Sequence, residues 1–195
     1  MAGGFAAGLY RTEPRLTLDI DFVLAADDAV EKLAVEIVES LGLKAGIVRE
    51  ADLAGGPHFA IRKRSTLPCM VVGRFSDDPR GKGVDVLLPT LEWVAGAVDR
   101  AQHNNVDFGF DTVPTITLED CIISKLFALR ASPIRAKDLD DLQSIFAAPH
   151  EIDTAYLAGQ MKRFGLVIPK EGEPFLPEWV VTLSKDVQRS LKRGP

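Results

Sequence analysis

Cysteine and histidine are scarce in this 195-residue chain. The two cysteines, Cys69 and Cys121, lie inside apolar segments, so we expect buried thiols in a reducing compartment rather than a disulfide. The three histidines, His58, His103 and His150, are far apart and lack the spacing of a zinc site. The composition therefore argues against a disulfide-stabilised scaffold and against structural zinc.

Long apolar runs and an excess of positive charge are also absent. No run reaches the roughly 18 residues of a membrane-spanning helix, and the N-terminal segment lacks the charged and apolar regions of a signal peptide. We therefore expect a cytoplasmic protein with no membrane partner. The net charge is −5, so any nucleic-acid partner needs a local basic patch. The candidate patches are residues 62–64 and the tail residues Lys185, Arg189, Lys192 and Arg193.

Hydrophobic residues make up 46% of the chain, which is enough for a core, and no internal repeat is visible. The patterns predict an α/β portion followed by an all-α portion, which we divide as residues 1–112 and 113–195. In the first portion we predict strands at 16–24, 59–64, 69–75 and 84–89, and helices at 3–10, 27–41 and 90–101, the last capped by Thr90. In the second we predict helices at 117–130, 137–147, 153–164 and 177–192.

Three aspartates interrupt the apolar strands. In LTLDIDFVL, residues 16–24, Asp19 and Asp21 have the same parity, so both carboxylates point to one face of the strand. Asp85 has a similar position in VDVLLP, residues 84–89. Burying unpaired carboxylates is costly unless a cation accompanies them. Since oxygen ligands favour Mg²⁺ or Mn²⁺ over zinc, the pattern predicts a metal site, with a solvated sheet face as the alternative.

A glycine pair precedes the first predicted helix. Gly3 and Gly4 would form a turn that leads into that helix. Backbone N–H groups at such a turn bind phosphate in many proteins. Paired glycines alone are weak evidence. The order of a Gly-Gly turn, a short helix, a DxD strand and a later strand aspartate is more specific, and it favours a nucleotide site.

In this order the chain resembles the nucleotidyltransferase superfamily, whose best-known member is DNA polymerase β. The stretch GGFAAGLYRTEPRLTLDIDFVL is most similar to the AbiEii-type group, related to abortive-infection toxins. The matching positions there and in the later strand are Gly3, Gly4, Arg15, Thr17, Asp19, Asp21 and Asp85. Residues 115–146 resemble the group's E-D-hydrophobic-hydrophobic-x-x-K helix and its R-x-K-D-x-x-D motif. The matching positions are Glu119, Asp120, Lys125, Arg135, Lys137, Asp138 and Asp141.

The resemblance implies an α/β (α+β) fold with a small mixed sheet, helices packed on it, and an all-α C-terminal portion. It implies Mg²⁺-dependent (or Mn²⁺-dependent) transfer of a nucleotide from an NTP to an acceptor, either an RNA such as a tRNA end or a protein. It also implies an antitoxin partner.

The resemblance also implies a role for each matched residue. Metal binding falls to Asp19, Asp21 and Asp85, and nucleotide binding to Gly3, Gly4, Arg15 and Thr17. Lys125 would neutralise phosphate charge, with Asp138 orienting it. We expect helix 118–130 to bury Leu118, Ile122, Leu126 and Leu129, which leaves Lys125 at the border of the apolar stripe, near Asp138 and facing the DxD motif.

Two alternatives remain open. In the superfamily a strand normally runs into the glycine turn, whereas here Met1 and Ala2 alone precede Gly3 in the sequence. A nucleotide-binding module of the same fold, without turnover, is therefore one alternative. A small-molecule nucleotidyltransferase of the aminoglycoside-modifying kind is the other, because an acidic protein suits a small cationic acceptor.

Overall fold

The computed structural model describes residues 1–26, 29–49, 67–75, 82–109, 111–131 and 135–193. The chain forms two compact units, the first made of Met1–Ala6 and Arg15–Thr117, the second of Ala7–Pro14 and Leu118–Pro195. The strand predicted at 59–64 and the basic residues 62–64 lie outside the described residues. Within the described ranges, every helix is too short or too polar to cross a bilayer.

The first unit is built on a four-stranded mixed sheet. Its elements are the start of α1 (Gly3–Tyr10), β1 (Asp19–Val23), α2 (Val30–Ser40), β2 (Lys44–Arg49), β3 (Pro68–Arg74), β4 (Gly83–Leu87), α3 (Val94–Ala101), β5 (Asn105–Asp107) and β6 (Thr112–Pro114). The strand order is β1-β4-β3-β2, with β1 and β4 parallel and the other pairs antiparallel. Strands β5 and β6 form a separate antiparallel pair. The predicted fold class is confirmed.

Helix α2 covers one face of this sheet. Its apolar residues recur at helical spacing, and Ala34 and Val38 are fully buried against the sheet. The core cluster consists of Ala34, Val38, Leu43, Val71, Val84, Val86 and Leu88. The helix ends where predicted, because Gly42 adopts a left-handed φ of 74° and its N–H donates to the Glu39 carbonyl at 2.9 Å.

The second unit is helical. It contains α4 (Leu118–Ala131), α5 (Ala136–Ala147), α6 (Thr154–Phe164), a short 3-10 helix (Glu173–Phe175) and α7 (Glu178–Arg193). Asp153 caps α6 by accepting a hydrogen bond from the Tyr156 N–H at 2.8 Å. The four α4 positions expected to face inward are all buried, namely Leu118, Ile122, Leu126 and Leu129.

Two predicted element starts are wrong by three or four residues, each for a local reason. The first strand begins at Asp19 rather than Leu16, since its partner β4 begins at Gly83, the residue paired with Asp19. The helix predicted from Thr90 begins at Val94. The Thr90 hydroxyl donates to the Pro68 carbonyl at 2.6 Å and does not cap the helix.

The sequence patterns also missed three strands and correctly predicted the state of the thiols. Strand β2 was not predicted because its sequence lacks a clear alternation of apolar residues, and β5 and β6 were not predicted because each has only three residues. Cys69 and Cys121 are both buried thiols outside any disulfide, as predicted.

Gly73 is required by the close packing of α2. A Cβ added there would lie 2.5 Å from Val38 Cγ1 and 3.0 Å from Leu43 Cδ1. We expect Gly73→Ala to lower the free energy of unfolding by about 1–3 kcal/mol, since α2 would have to shift. Urea denaturation measures this change.

Gly159 in α6 provides the matched control. A Cβ added there meets no described atom within 4 Å. Gly159→Ala should therefore raise the free energy of unfolding by about 0.5–1 kcal/mol through helix propensity. Equal stability of Gly73→Ala and the unaltered protein would contradict the close approach of α2 to β3.

Candidate functional site

Strand register brings the three predicted acids to one face of the sheet. Asp21 in β1 lies directly opposite Asp85 in β4, and directly paired residues share a face. Asp19, two residues before Asp21, points to the same side. Val84 and Val86, which flank Asp85, belong to the core beneath α2. The acids therefore occupy the face away from α2.

Arg74 in β3 extends the same row of residues. Gly83 in β4 is paired with Asp19 on one side and with Arg74 on the other. Arg74 Nη1 lies 2.6 Å from Asp85 Oδ1 in an ion pair, and also donates to the Gly73 carbonyl at 2.9 Å. A Cβ at position 83 would lie 2.6 Å from Arg74 Nη1. Glycine thus leaves the space in which the guanidinium reaches the acids.

The electrostatics of Arg74 involve all three carboxylates. Its hydrogen bond to Asp85 raises the pKa of the guanidinium, and attraction to Asp85, Asp19 and Asp21 raises that pKa further against the effect of burial. Its side chain is 16% exposed. Arg74 is therefore a partly buried cation that interacts electrostatically with all three carboxylates.

The glycine turn lies against Asp21. The Gly4 N–H donates to Asp21 Oδ2 at 3.3 Å, and Gly3 has a left-handed φ of 60°. A Cβ at Gly3 would collide with the Asp21 carboxylate. The Ala2 N–H donates to the Asp21 carbonyl at 2.7 Å in an isolated antiparallel bridge. The residues before the turn thus pair with β1 at a single point.

The other two predicted nucleotide-binding residues flank Gly4. A Cβ at Gly4 would lie 2.9 Å from Arg15 Nη2 and 3.1 Å from Thr17 Oγ1. Thr17 Oγ1 donates to the Asp19 carbonyl at 3.1 Å, which fixes the entry to β1. Gly3, Gly4, Arg15 and Thr17 therefore lie together beside the DxD motif. Their role in nucleotide binding stays a prediction.

A divalent cation fits the chemistry of these acids. Asp19 Oδ1 is buried and lacks a hydrogen-bond partner within the part of the chain that the structure describes, and a cation would satisfy it. Across those same ranges, no three acidic, imidazole or thiol side chains converge into a group that could hold a metal. Asp85 is engaged by Arg74. Asp19 and Asp21 are thus the residues that fit an Mg²⁺ or Mn²⁺ ion, and the participation of Asp85 stays a prediction.

The helical unit contains a second charged cluster, centred on Lys125. Lys125 Nζ lies 2.7 Å from Asp141 Oδ2 and 3.1 Å from Asp138 Oδ1, and the lysine side chain is only 7% exposed. Arg11 Nη1 contacts Asp141 Oδ1 at 2.8 Å, and Arg135 Nε lies 3.1 Å from Asp138 Oδ2. The expected proximity of Lys125 to Asp138 is observed, and the lysine is buried rather than exposed on the helix surface. Because Lys125 and the DxD motif belong to different units, the predicted approach between them stays a prediction.

Two groups in this cluster have shifted pKa values. Burial alone would lower the pKa of Lys125, but attraction to Asp138 and Asp141 outweighs burial, so its pKa rises above the ordinary value of 10.5. Burial raises the pKa of the neighbouring Cys121 thiol to about 12. Lys125 is therefore an ammonium at neutral pH, and Cys121 is a thiol that does not act as a nucleophile.

The remaining matched residues have structural partners or are exposed. Asp120 is buried and accepts a hydrogen bond from the Tyr156 hydroxyl at 3.1 Å. Glu119 Oε1 accepts from the Asp153 N–H at 3.0 Å, which ties α4 to the start of α6. Lys137 is exposed. Sequence reasoning missed Arg74, Gly83 and Arg11, because the relevant signal is strand register or long-range pairing rather than local pattern.

The Lys125 cluster predicts a large and pH-dependent loss of stability on removal of the ammonium. Lys125→Met should lower the free energy of unfolding by about 3 kcal/mol, since it removes a cation from the buried Asp138 and Asp141. A raised folded-state pKa adds stability that is complete below the unfolded pKa and is lost above it. The deficit should therefore be constant from about pH 7 to 10 and shrink above that range.

Chemical denaturation of both proteins across this pH range tests the prediction. Asp140→Asn is the control, because Asp140 is 59% exposed and pairs with Arg11 at the surface. It should cost less than about 1 kcal/mol. A deficit of that small size for Lys125→Met would contradict a tightly coupled buried cluster.

Comparisons with known proteins identify the family. A family model described as nucleotidyl transferase AbiEii toxin, type IV toxin–antitoxin system, matches residues 1–190. A search of curated proteins found no match. The matched span includes the glycine turn, the three sheet acids and the Lys125 cluster. The chain therefore belongs to the AbiEii family of nucleotidyl transferase toxins of type IV toxin–antitoxin systems.

Proposed function

We propose that this AbiEii-family chain transfers a nucleotide from an NTP to a hydroxyl at the end of an RNA such as tRNA, in a reaction that depends on Mg²⁺ or Mn²⁺. The observation that carries the proposal is the shared sheet face of Asp19, Asp21 and Asp85, beside a glycine turn at a helix start. Hard oxygen ligands next to backbone N–H donors suit a triphosphate and its cation.

Each residue of the site would have a separate role in the proposed reaction. The acceptor oxygen would attack the α-phosphorus of the NTP, the bond from that phosphorus to the bridging oxygen would break, and pyrophosphate would leave. Gly3 and Gly4 would offer backbone N–H groups to the phosphates, and Arg15 would add positive charge near Gly4. Asp85 would accept the proton of the attacking hydroxyl.

The metal fits Asp19 and Asp21 best. When bound there, a divalent cation would neutralise phosphate oxygens and favour ionisation of the acceptor hydroxyl. The unpartnered Oδ1 of Asp19 and the hard, all-oxygen donor set support this assignment. The resemblance adds Lys125 as a phosphate-neutralising residue and Asp138 as the residue that orients it, and an antitoxin protein as partner.

A second function is favoured by a specific observation. Asp85 is paired with Arg74 at 2.6 Å, and the described residues contain no three-ligand metal group. A module that binds nucleotides without turnover would have this arrangement. Such a module would bind NTP but release no pyrophosphate.

Asp21→Asn distinguishes these functions from a purely structural role. The asparagine oxygen can still accept the Gly4 N–H, and the loss of one charge relieves repulsion between the paired Asp21 and Asp85. We expect transfer activity to fall by at least about 100-fold, with a melting temperature that is unchanged or higher. A clearly lower melting temperature without metal would instead make Asp21 a structural partner.

The assay uses each NTP labelled in its α-phosphate, with Mg²⁺ and either tRNA or total protein as acceptor. Label on tRNA supports the proposal, whereas label on protein replaces its acceptor. A label in the γ-phosphate should remain in pyrophosphate. Lys32→Gln is the control, because Lys32 is 78% exposed and pairs with Glu36 on α2, the helix that covers the other sheet face.

A further inference from the structure

The sheet carries a cation, Arg74, on the face that holds its three carboxylates. Arg74 reaches Asp85 across Gly83, and its guanidinium is attracted to Asp19 and Asp21 as well. Three aspartates on one face repel one another, and the positive charge of Arg74 offsets part of that repulsion. Arg74 therefore stabilises the acidic face in the metal-free protein.

The geometry around Gly83 shows that this position of Arg74 is a feature of the fold. Gly83 separates Asp19 from Arg74 in the paired row, and a Cβ at position 83 would lie 3.0 Å from Arg74 Cδ as well as close to Nη1. The bond at 2.6 Å to Asp85 is a charge-assisted hydrogen bond in a setting that is 16% and 14% exposed on its two sides.

We infer that Arg74 is a positioning residue that competes with the divalent cation for Asp85 and so sets the affinity of the acidic face for metal. This inference rests on the proposed function, because it concerns the metal of the same site. A cation held by Asp19 and Asp21 would meet a guanidinium of the same sign beside it. Asp85 could join Asp19 and Asp21 as a ligand of that cation only if Arg74 were displaced from it.

Competition by Arg74 and a purely structural ion pair predict different effects of removing Arg74 on metal affinity. If Arg74 only supported the fold, its removal would weaken metal binding or leave it unchanged. If Arg74 competes, Arg74→Gln should bind Mn²⁺ more tightly, by about tenfold or more, because one unit of positive charge has left the site. The same variant should melt at a lower temperature without metal and gain more from added Mn²⁺ than the unaltered protein does.

Mn²⁺ titrations measure the affinity of each protein directly, without an activity assay. Calorimetry and the electron paramagnetic resonance signal of free Mn²⁺ monitor the binding. Arg74→Lys keeps the charge and should stay near the unaltered affinity. Lys32→Gln removes an exposed cation that pairs with Glu36 at 3.6 Å, and should leave the affinity unchanged.

The outcomes separate the inference from the proposed function. Tighter binding by Arg74→Gln alone supports the competition. If the unaltered protein binds Mn²⁺ and Arg74→Gln binds it equally well or more weakly, the competition is overturned and the metal site stands. An absence of Mn²⁺ binding in both proteins removes the metal from the proposed function, and the inference with it. If Arg74→Gln does not fold without metal, refolding by Mn²⁺ but not by Na⁺ at equal ionic strength supports the competition, and no refolding by Mn²⁺ overturns it.

Discussion

The parallel pairing of β1 with β4 is the constraint on which the acidic face depends. It sets Asp21 beside Asp85 and Asp19 beside Gly83, so that two strands distant in sequence share one cluster of negative charge. A one-residue slip in this register would turn the Asp85 carboxylate into the core beneath α2. The apolar residues that alternate with the acids prevent such a slip, since Val84 and Val86 are buried with Val71. The hydrophobic core thus fixes the geometry of the charged face.

The two units differ in how far nearby cations balance the charge of their carboxylates. In the helical unit the buried pair Asp138 and Asp141 has close cations on several sides, including Lys125 and Arg11. In the sheet unit Arg74 is attracted to three acids, and Asp19 Oδ1 has no hydrogen-bond partner among the described residues. The first arrangement is close to neutral and suits structure. The second keeps an excess of negative charge, which suits the binding of an additional cation.

Local sequence pattern predicted the parts of this arrangement that depend on one element at a time. Parity placed Asp19 and Asp21 on one face, and helical spacing predicted the inward positions of α4, although Lys125 is buried rather than at the border of an apolar stripe. It failed for Arg74, because the position of that residue beside the acids depends on the register of β3 against β4. Thr90 shows the same limit, since its hydroxyl bonds to Pro68 across the sheet rather than to the helix that follows. A joint role of the strand acids and the later helical motif is implied by the resemblance to the family alone, and it stays a prediction.

At the glycine turn, a backbone donor and a charged side chain are hydrogen-bonded to each other. The Gly4 N–H is directed at the Asp21 carboxylate, although a helix N-terminus attracts any anion. A phosphate group carries more charge than a carboxylate and accepts more hydrogen bonds, so a triphosphate bound at the turn would compete with Asp21 for that donor. The Asp21 oxygen that leaves the Gly4 N–H could then coordinate a cation together with Asp19. Nucleotide and metal would therefore favour each other's binding, because both replace the same hydrogen bond between Gly4 and Asp21.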